Sequence, residues 1–431
     1  MENNDKATYL YQLGARYYWG DDNTERDLDK AIEYLQKAAD MGHDKAQNLL
    51  GVCFETGEGV EQNHEKAIEL YTKASKQGNE YALYNLACYY EKGEGIEQDY
   101  EKAVELYSEA ARRGHSKAQL YLGTLYFYAD YGVEQDYGKA AEWYKKAAEQ
   151  GDDEAQFNIG YCYENGTGVE QDYEKAVEWY VKASEHDNTN ALYRLAVCYQ
   201  NGTGIKQNLQ NAFELFKIAA ELGDADSQTQ LGIFYENGMG VKKDISLAIE
   251  WYNKAAEQNN DTGQYMLALH YDFGIGINKD KKKAIELYTL SAKQGYADAQ
   301  YYLALSYHNG DGVKKNYAKS IDWCTKAAEQ NHAKALYHLG YCYHKGIGVR
   351  QFYRKAVELY TLSAEQGFDL AQLQLGRCYF FGVGINKDEA KAREWYTKAA
   401  EQGNKDAQYA LDSLNGKSNY FSWIRDLFRF R

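Results

Sequence analysis

Residues 165–180, NGTGVEQDYEKAVEWY, return in altered copies along the chain: GEGVEQNHEKAIELY from 57, GEGIEQDYEKAVELY from 93, GIGINKDKKKAIELY from 274 and GVGINKDEAKAREWY from 382. A fixed period constrains architecture more than composition does, because each copy must fold alike and bury its apolar residues largely against its neighbours. With the alanine of ALYNL, AQFNI or AQLQL as phase 0, units begin at 46, 82, 118, 155, 191, 227, 263, 299, 335 and 371. An earlier unit opens at Tyr9 and a truncated one at Ala407. The period is 36 residues, with one extra loop residue in the first and fourth units, which gives eleven full repeats and a terminal half.

Within a unit, apolar or small residues fall at phases 0, 4, 5 and 8, then at 21, 22, 25, 28 and 29, two blocks of helical spacing. Each repeat therefore reads as a helical hairpin. Glycines at phases 11 and 13 close the first helix in nine of eleven units, and phase 17 is Asp or Asn in ten of eleven, a helix N-cap. Phe352 is the exception at that phase. The chain contains no proline, so the second helix must stop by other means: phase 32 is Gly eight times, Asn twice (Asn259, Asn331) and Asp once (Asp187), residues that accept a left-handed backbone.

The recurring glycines resemble a phosphate-binding loop only locally. A nucleotide site needs its glycines once, after a strand, with a partner residue at a set distance. Here they recur between two helices, which makes them hairpin connectors.

The unit A-Q-x-x-L-G-x-x-Y-x-x-G-x-G-V-x-x-D-x-x-K-A-x-x-W-Y-x-K-A-A-x-x-G, nearly literal in 155–190 and 371–406, closely resembles the Sel1-like repeat, a relative of the tetratricopeptide repeats. The resemblance spans 9–414. It implies an all-α fold, an α/α solenoid wound as a right-handed superhelix, and a scaffold or adaptor role toward other proteins. The secreted branch of that family staples each hairpin with paired cysteines; these repeats lack the second cysteine. The expected organisation is a polar leader at 1–8, eleven repeats over 9–406, a half repeat at 407–414 and a C-terminal segment at 415–431.

Composition narrows the function. The net charge of −15 argues against nucleic acid and anionic lipid as partners, both of which require neutralised phosphate. The first residues, MENNDKATYLYQL, have no basic start and no apolar run of a secretory signal, and no window approaches a membrane span. Seven cysteines, an odd number without a CxxC pair, indicate neither a disulfide framework nor a zinc ribbon. Five of them (Cys53, Cys162, Cys198, Cys342, Cys378) share one phase, which points to packing. The expected address is cytoplasmic.

Phase 2 of the first helix lies outside the buried arc, on the expected concave side, yet is aromatic in eight of twelve units: Tyr11, Tyr84, Phe157, Tyr193, Tyr265, Tyr301, Tyr337 and Tyr409. Such rings can line a groove for a protein or peptide partner; the alternative is packing against the adjacent repeat. Phase 15 reads Glu61, Glu97, Glu134 and Glu170 early, then Lys206, Lys242, Asn278, Lys314, Arg350 and Asn386, and phase 16 moves from Gln62, Gln98, Gln135 and Gln171 to Lys243, Lys279, Lys315 and Lys387. That edge is a solvated surface or a device to steer a bipolar partner or a second copy.

His338 and Cys342 stand four apart on a first helix, with His344 close by, a pair able to chelate; the sequence shows no third and fourth ligand, so no metal or other cofactor is expected. No catalytic set rises above the repeat background. The segment NGKSNYFSWIRDLFRFR from Asn415 is aromatic and net basic: a capping helix, a docking helix, or a peripheral membrane contact through Trp423 and Phe428. The reading is a non-enzymatic scaffold that binds a partner protein, with self-association as an option. The alternatives are a regulatory activator of an enzyme and a bacterial host-interaction or stress factor.

Overall fold

A computed structural model describes residues 3–21 and 23–416. They form twenty-three α-helices, α1 (Asn3–Trp19) to α23 (Lys405–Leu414), and no strand beyond an isolated bridge between Asp21 and Thr24. The chain divides into two compact units, one ending at Leu215 and one starting at Phe216. Within each, helical hairpins stack so that a first helix such as α9 (Asp153–Asn165) or α17 (Ala297–Asn309) packs on its own second helix and on the second helix of the repeat before it. Residues 3–8, set apart above as a leader, belong to α1.

The signals at the helix ends do what their chemistry dictates. In α9 (Asp153–Asn165) and α10 (Tyr173–Ser184), Gly166 adopts φ 67° and donates its N–H to the Cys162 carbonyl, and Asp172 accepts the Lys175 N–H. Gly168 is needed for a different reason: at φ 74° a Cβ there would lie 1.9 Å from the carbonyl oxygen of Tyr137 in the preceding repeat. Phase 32 is left-handed throughout, including Asp187, Asn259 and Asn331 at φ 57–61°. Gly151, at the same phase, has open space around it, so there only the backbone angle matters. Phe352 makes no side-chain cap.

The buried arc of the first helix is wider than its apolar pattern. Phases 0, 4 and 5 are sealed, but so are phases 1 and 7, while phase 8 is half-buried. Covering by two second helices explains this, since each claims its own side of the first helix. Phase 1 is a buried glutamine in most repeats: the Gln47 amide donates to the Ala39 carbonyl (3.1 Å) and accepts from Gln77 (2.8 Å), and the arrangement returns at Gln119/Gln150, Gln228/Gln258 and Gln300/Gln330. Each of these four amides thereby ties one repeat to the next with both its nitrogen and its oxygen paired, whereas Gln156 leaves its Oε1 without a partner.

Candidate partner-binding face

Phase 25 supplies the largest buried side chains, Tyr71, Tyr107, Tyr180, Tyr252, Tyr288, Tyr360 and Tyr396. Their rings lie against the glycine or alanine at phase 5; a Cβ on Gly160 would meet the Tyr180 ring at 2.8 Å. A buried hydroxyl needs a partner, and phase 9 provides it: Tyr180 donates to Glu164 at 2.5 Å, Tyr107 to Glu91 at 2.6 Å and Tyr252 to Glu236 at 2.7 Å. Burial first, then the carboxylate, raises the pKa of the Tyr180 and Tyr252 phenols. The next repeat reaches the same spot with Tyr121 on Glu91, Arg194 at 3.9 Å from Glu164 and His270 at 3.5 Å from Glu236. Phase 9 is thus a three-way junction.

The phase-2 rings border these junctions and are half-buried, except Tyr409 at 37% exposure. Tyr84 stacks on His115 (4.5 Å between centroids) and Tyr11 on His43 (4.7 Å). Tyr265 meets Tyr296 at 5.0 Å, Tyr301 meets His332 at 5.1 Å and Tyr337 meets Phe368 at 5.3 Å. Each of these partners is the N-cap residue of the next first helix. Phe157 leans on Tyr180 at 5.9 Å, and Tyr193 is half-buried. The rings therefore have a packed side and a solvent side.

One junction opens into a recess. Repeat four carries Phe127 where Glu55, Glu91, Glu164, Glu236 and Asp272 stand in five other repeats, and Tyr144 has Thr124 (3.3 Å) as its hydroxyl partner. Phe127, Tyr128, Tyr144, Phe157, Asn158 and Tyr161 line a depression of about 120 Å³, with Tyr128 64% exposed. At another junction phase 9 is His308 and phase 25 is Cys324; the following repeat brings His338 and Cys342 to it. The ligand atoms of His308, His338 and Cys342 lie within 4.8 Å of one another, so the structure supplies from the preceding repeat a third group that sequence spacing does not reveal.

All seven cysteines are free thiols, and burial pushes Cys53, Cys162, Cys342 and Cys378 up to about 12. The phase-15 residues Glu61, Glu97, Glu134 and Glu170 are exposed, as are Lys206, Lys242, Lys314 and Arg350. Gln62, Gln98 and Gln171 at phase 16 have a local duty, donating to the carbonyls of Glu55, Glu91 and Glu164 near the end of the first helix. Among the described residues no helix is long and apolar enough to cross a membrane. Trp423 and Phe428 lie outside the described residues.

The family model described as the Sel1 repeat matches eleven consecutive stretches, from 7–43 and 44–79 through 333–368 and 369–404. The chain belongs to the Sel1 repeat family. A protective antigen present in uropathogenic Escherichia coli strains, whose crystal structure displays the same fold, is 35% identical, with 96% of this chain and 88% of that one covered and a TM-score of 0.81. A Sel1 repeat protein from Oxalobacter formigenes is 30% identical over 72% of this chain and 89% of its own, with a TM-score of 0.53. No curated protein matches. Sel1 repeats generally serve protein–protein interaction, and scaffolds built from them are generally non-enzymatic.

Proposed function

We propose that this Sel1 repeat chain is a non-catalytic cytoplasmic scaffold that binds a protein or peptide segment along the face of its first helices. The observation that carries the reading is the aromatic recess at Phe127, Tyr128, Phe157 and Tyr161, which has room for one apolar side chain and offers Asn158 as a polar neighbour. The rings of Tyr84 and Tyr193 in the first unit, and those of Tyr265, Tyr301, Tyr337 and Tyr409 in the second, offer the same kind of surface, giving several weak anchors within each unit for an extended ligand. Free thiols in every cysteine-bearing repeat support the cytoplasmic address. The acidic phase-15 residues Glu61, Glu97, Glu134 and Glu170 and the largely basic series from Lys206 onward would steer a charged partner, so its association rate should fall with added salt.

The test is affinity for a partner captured from the source cell. Tyr128→Ser with Asn158→Arg fills and charges the recess at little cost in stability, and Tyr265→Leu/Tyr301→Leu/Tyr337→Leu removes hydroxyls and planar faces while retaining apolar volume. Each set should weaken binding by about tenfold or more, the scale of a hot spot. Undiminished binding by both rejects the reading. The relative known as a protective antigen supports a second reading, in which the partner is a host protein met outside the cell. Antibody labelling of intact cells decides for it, and labelling only after lysis decides against it.

A further inference from the structure

We infer that His308, His338 and Cys342 form a binding site for a borderline d10 cation, Zn2+ being the ion their donors fit. His308 lies on α17 (Ala297–Asn309), and His338 and Cys342 lie one turn apart on α19 (Ala333–Lys345), so the two helices present their ligands from adjoining repeats. The two imidazole rings stand 4.7 Å apart, edge to face. Cys342 is fully buried and the imidazoles are half-buried, which leaves an entry path beside a shielded thiol.

Two observations separate this cluster from chance neighbours. The first is polar accounting: Nδ1 of His308 and Nε2 of His338 are buried without a hydrogen-bond partner. At the Tyr252–Glu236–His270 junction the corresponding groups are paired, and a lone pair kept from water without a partner costs about 1–3 kcal/mol in most proteins. The second is coordinated replacement. This repeat lacks both the phase-9 acid and the phase-25 tyrosine, as the sixth does with Gln200 and Phe216, but here an imidazole and a thiol, His308 and Cys324, stand in their places, and the Cys324 thiol turns to the Ala335 carbonyl at 3.2 Å.

In a tetrahedral site with metal–nitrogen bonds of about 2.0 Å and a metal–sulfur bond of about 2.3 Å, ligand atoms lie roughly 3.3–3.7 Å apart. Side-chain rotations that close the present separations by about 1 Å bring all three onto one ion. Binding deprotonates the Cys342 thiol, and the released proton goes to solvent. Three protein ligands leave a fourth position for water or for a donor from a docked partner. The ion would clamp the ninth repeat to the tenth.

The full chain is titrated with Co2+ in place of Zn2+, because a thiolate ligand gives cobalt a charge-transfer band in the near ultraviolet. One equivalent should produce that band, Zn2+ should abolish it, and Zn2+ should raise the melting temperature. Cys342→Ala should lose the band and the thermal shift, and His308→Ala/His338→Ala should weaken binding about tenfold or more, no less than the loss of a group that merely supports a ligand. Cys162→Ala changes a cysteine at the same phase, with Phe127 and Asn158 in the places of the two imidazoles, so it controls for packing and should bind as the parent does. Absence of the band in the parent, or its survival in Cys342→Ala, overturns the site.

Discussion

Two junctions of the second unit, one holding His270 and the other His308 with His338, put the imidazole ring to opposite use. At the first, His270 is 1% exposed, with Nδ1 2.8 Å from the Ile275 carbonyl and Nε2 3.5 Å from Glu236. Both nitrogens face acceptors, so the ring is built to hold two protons. Burial pulls its pKa down, yet the Glu236 hydrogen bond, the Ile275 carbonyl and the Glu236 charge together leave it raised. At the second junction phase 9 is His308 in place of the acid, and burial followed by repulsion from His308 lowers His338. One residue at phase 9 therefore decides whether the junction stores a charge or presents lone pairs.

The largest effect that sharpens this contrast is steric. Tyr252→Ala should cost about 3–5 kcal/mol, since it empties the space against Gly232 and strips Glu236 of a donor. The corresponding change at the second junction, Cys324→Ala, removes one sulfur and should cost about 1 kcal/mol. Urea midpoints and hydrogen exchange in the flanking helices would show the difference, and equal losses would deny that the junctions are built differently.

A smaller effect is pH-dependent. A pKa raised on folding contributes stability that is complete below the ordinary imidazole value of 6.5 and fades as pH rises through the folded value. Glu236, lowered chiefly by its hydrogen bond to His270, contributes above its ordinary 4.5 and fades as pH falls through its depressed value. His270→Gln should thus lower the melting temperature most at about pH 5.5, by an amount equivalent to about 1–3 kcal/mol, and progressively less toward about pH 9. A deficit independent of pH would mean that the ring serves only as packing.

Repetition made the fold legible. Each of the turns at phases 11 and 32 and each cap at phase 17 could be checked against other copies, and a single required backbone angle accounted for Gly, Asn and Asp at one phase. What stayed hidden was polar and distant. Phase-1 glutamines such as Gln47 are buried because an amide there meets the Ala39 carbonyl and Gln77, although the pairing of Gln at phases 1 and 31 was a usable signal. First-helix N-caps at phase 33, such as Asn79 and Asp152, escaped for the same reason. His308 was missed because it lies thirty residues before His338, in another repeat; a histidine at phase 9 in the one full unit whose phase 25 is a cysteine was the clue.

Rewriting the second junction in the terms of the first tests most directly whether phase 9 and its neighbours set junction character. His308→Glu with Cys324→Tyr restores the tyrosine–acid pair above Ala304, as Tyr107 and Glu91 accompany Ala87, and places an acid beside His338. The double variant should melt no lower than the parent and lose its response to Zn2+. A fall in melting temperature of several degrees, or an undiminished zinc response, would contradict the account.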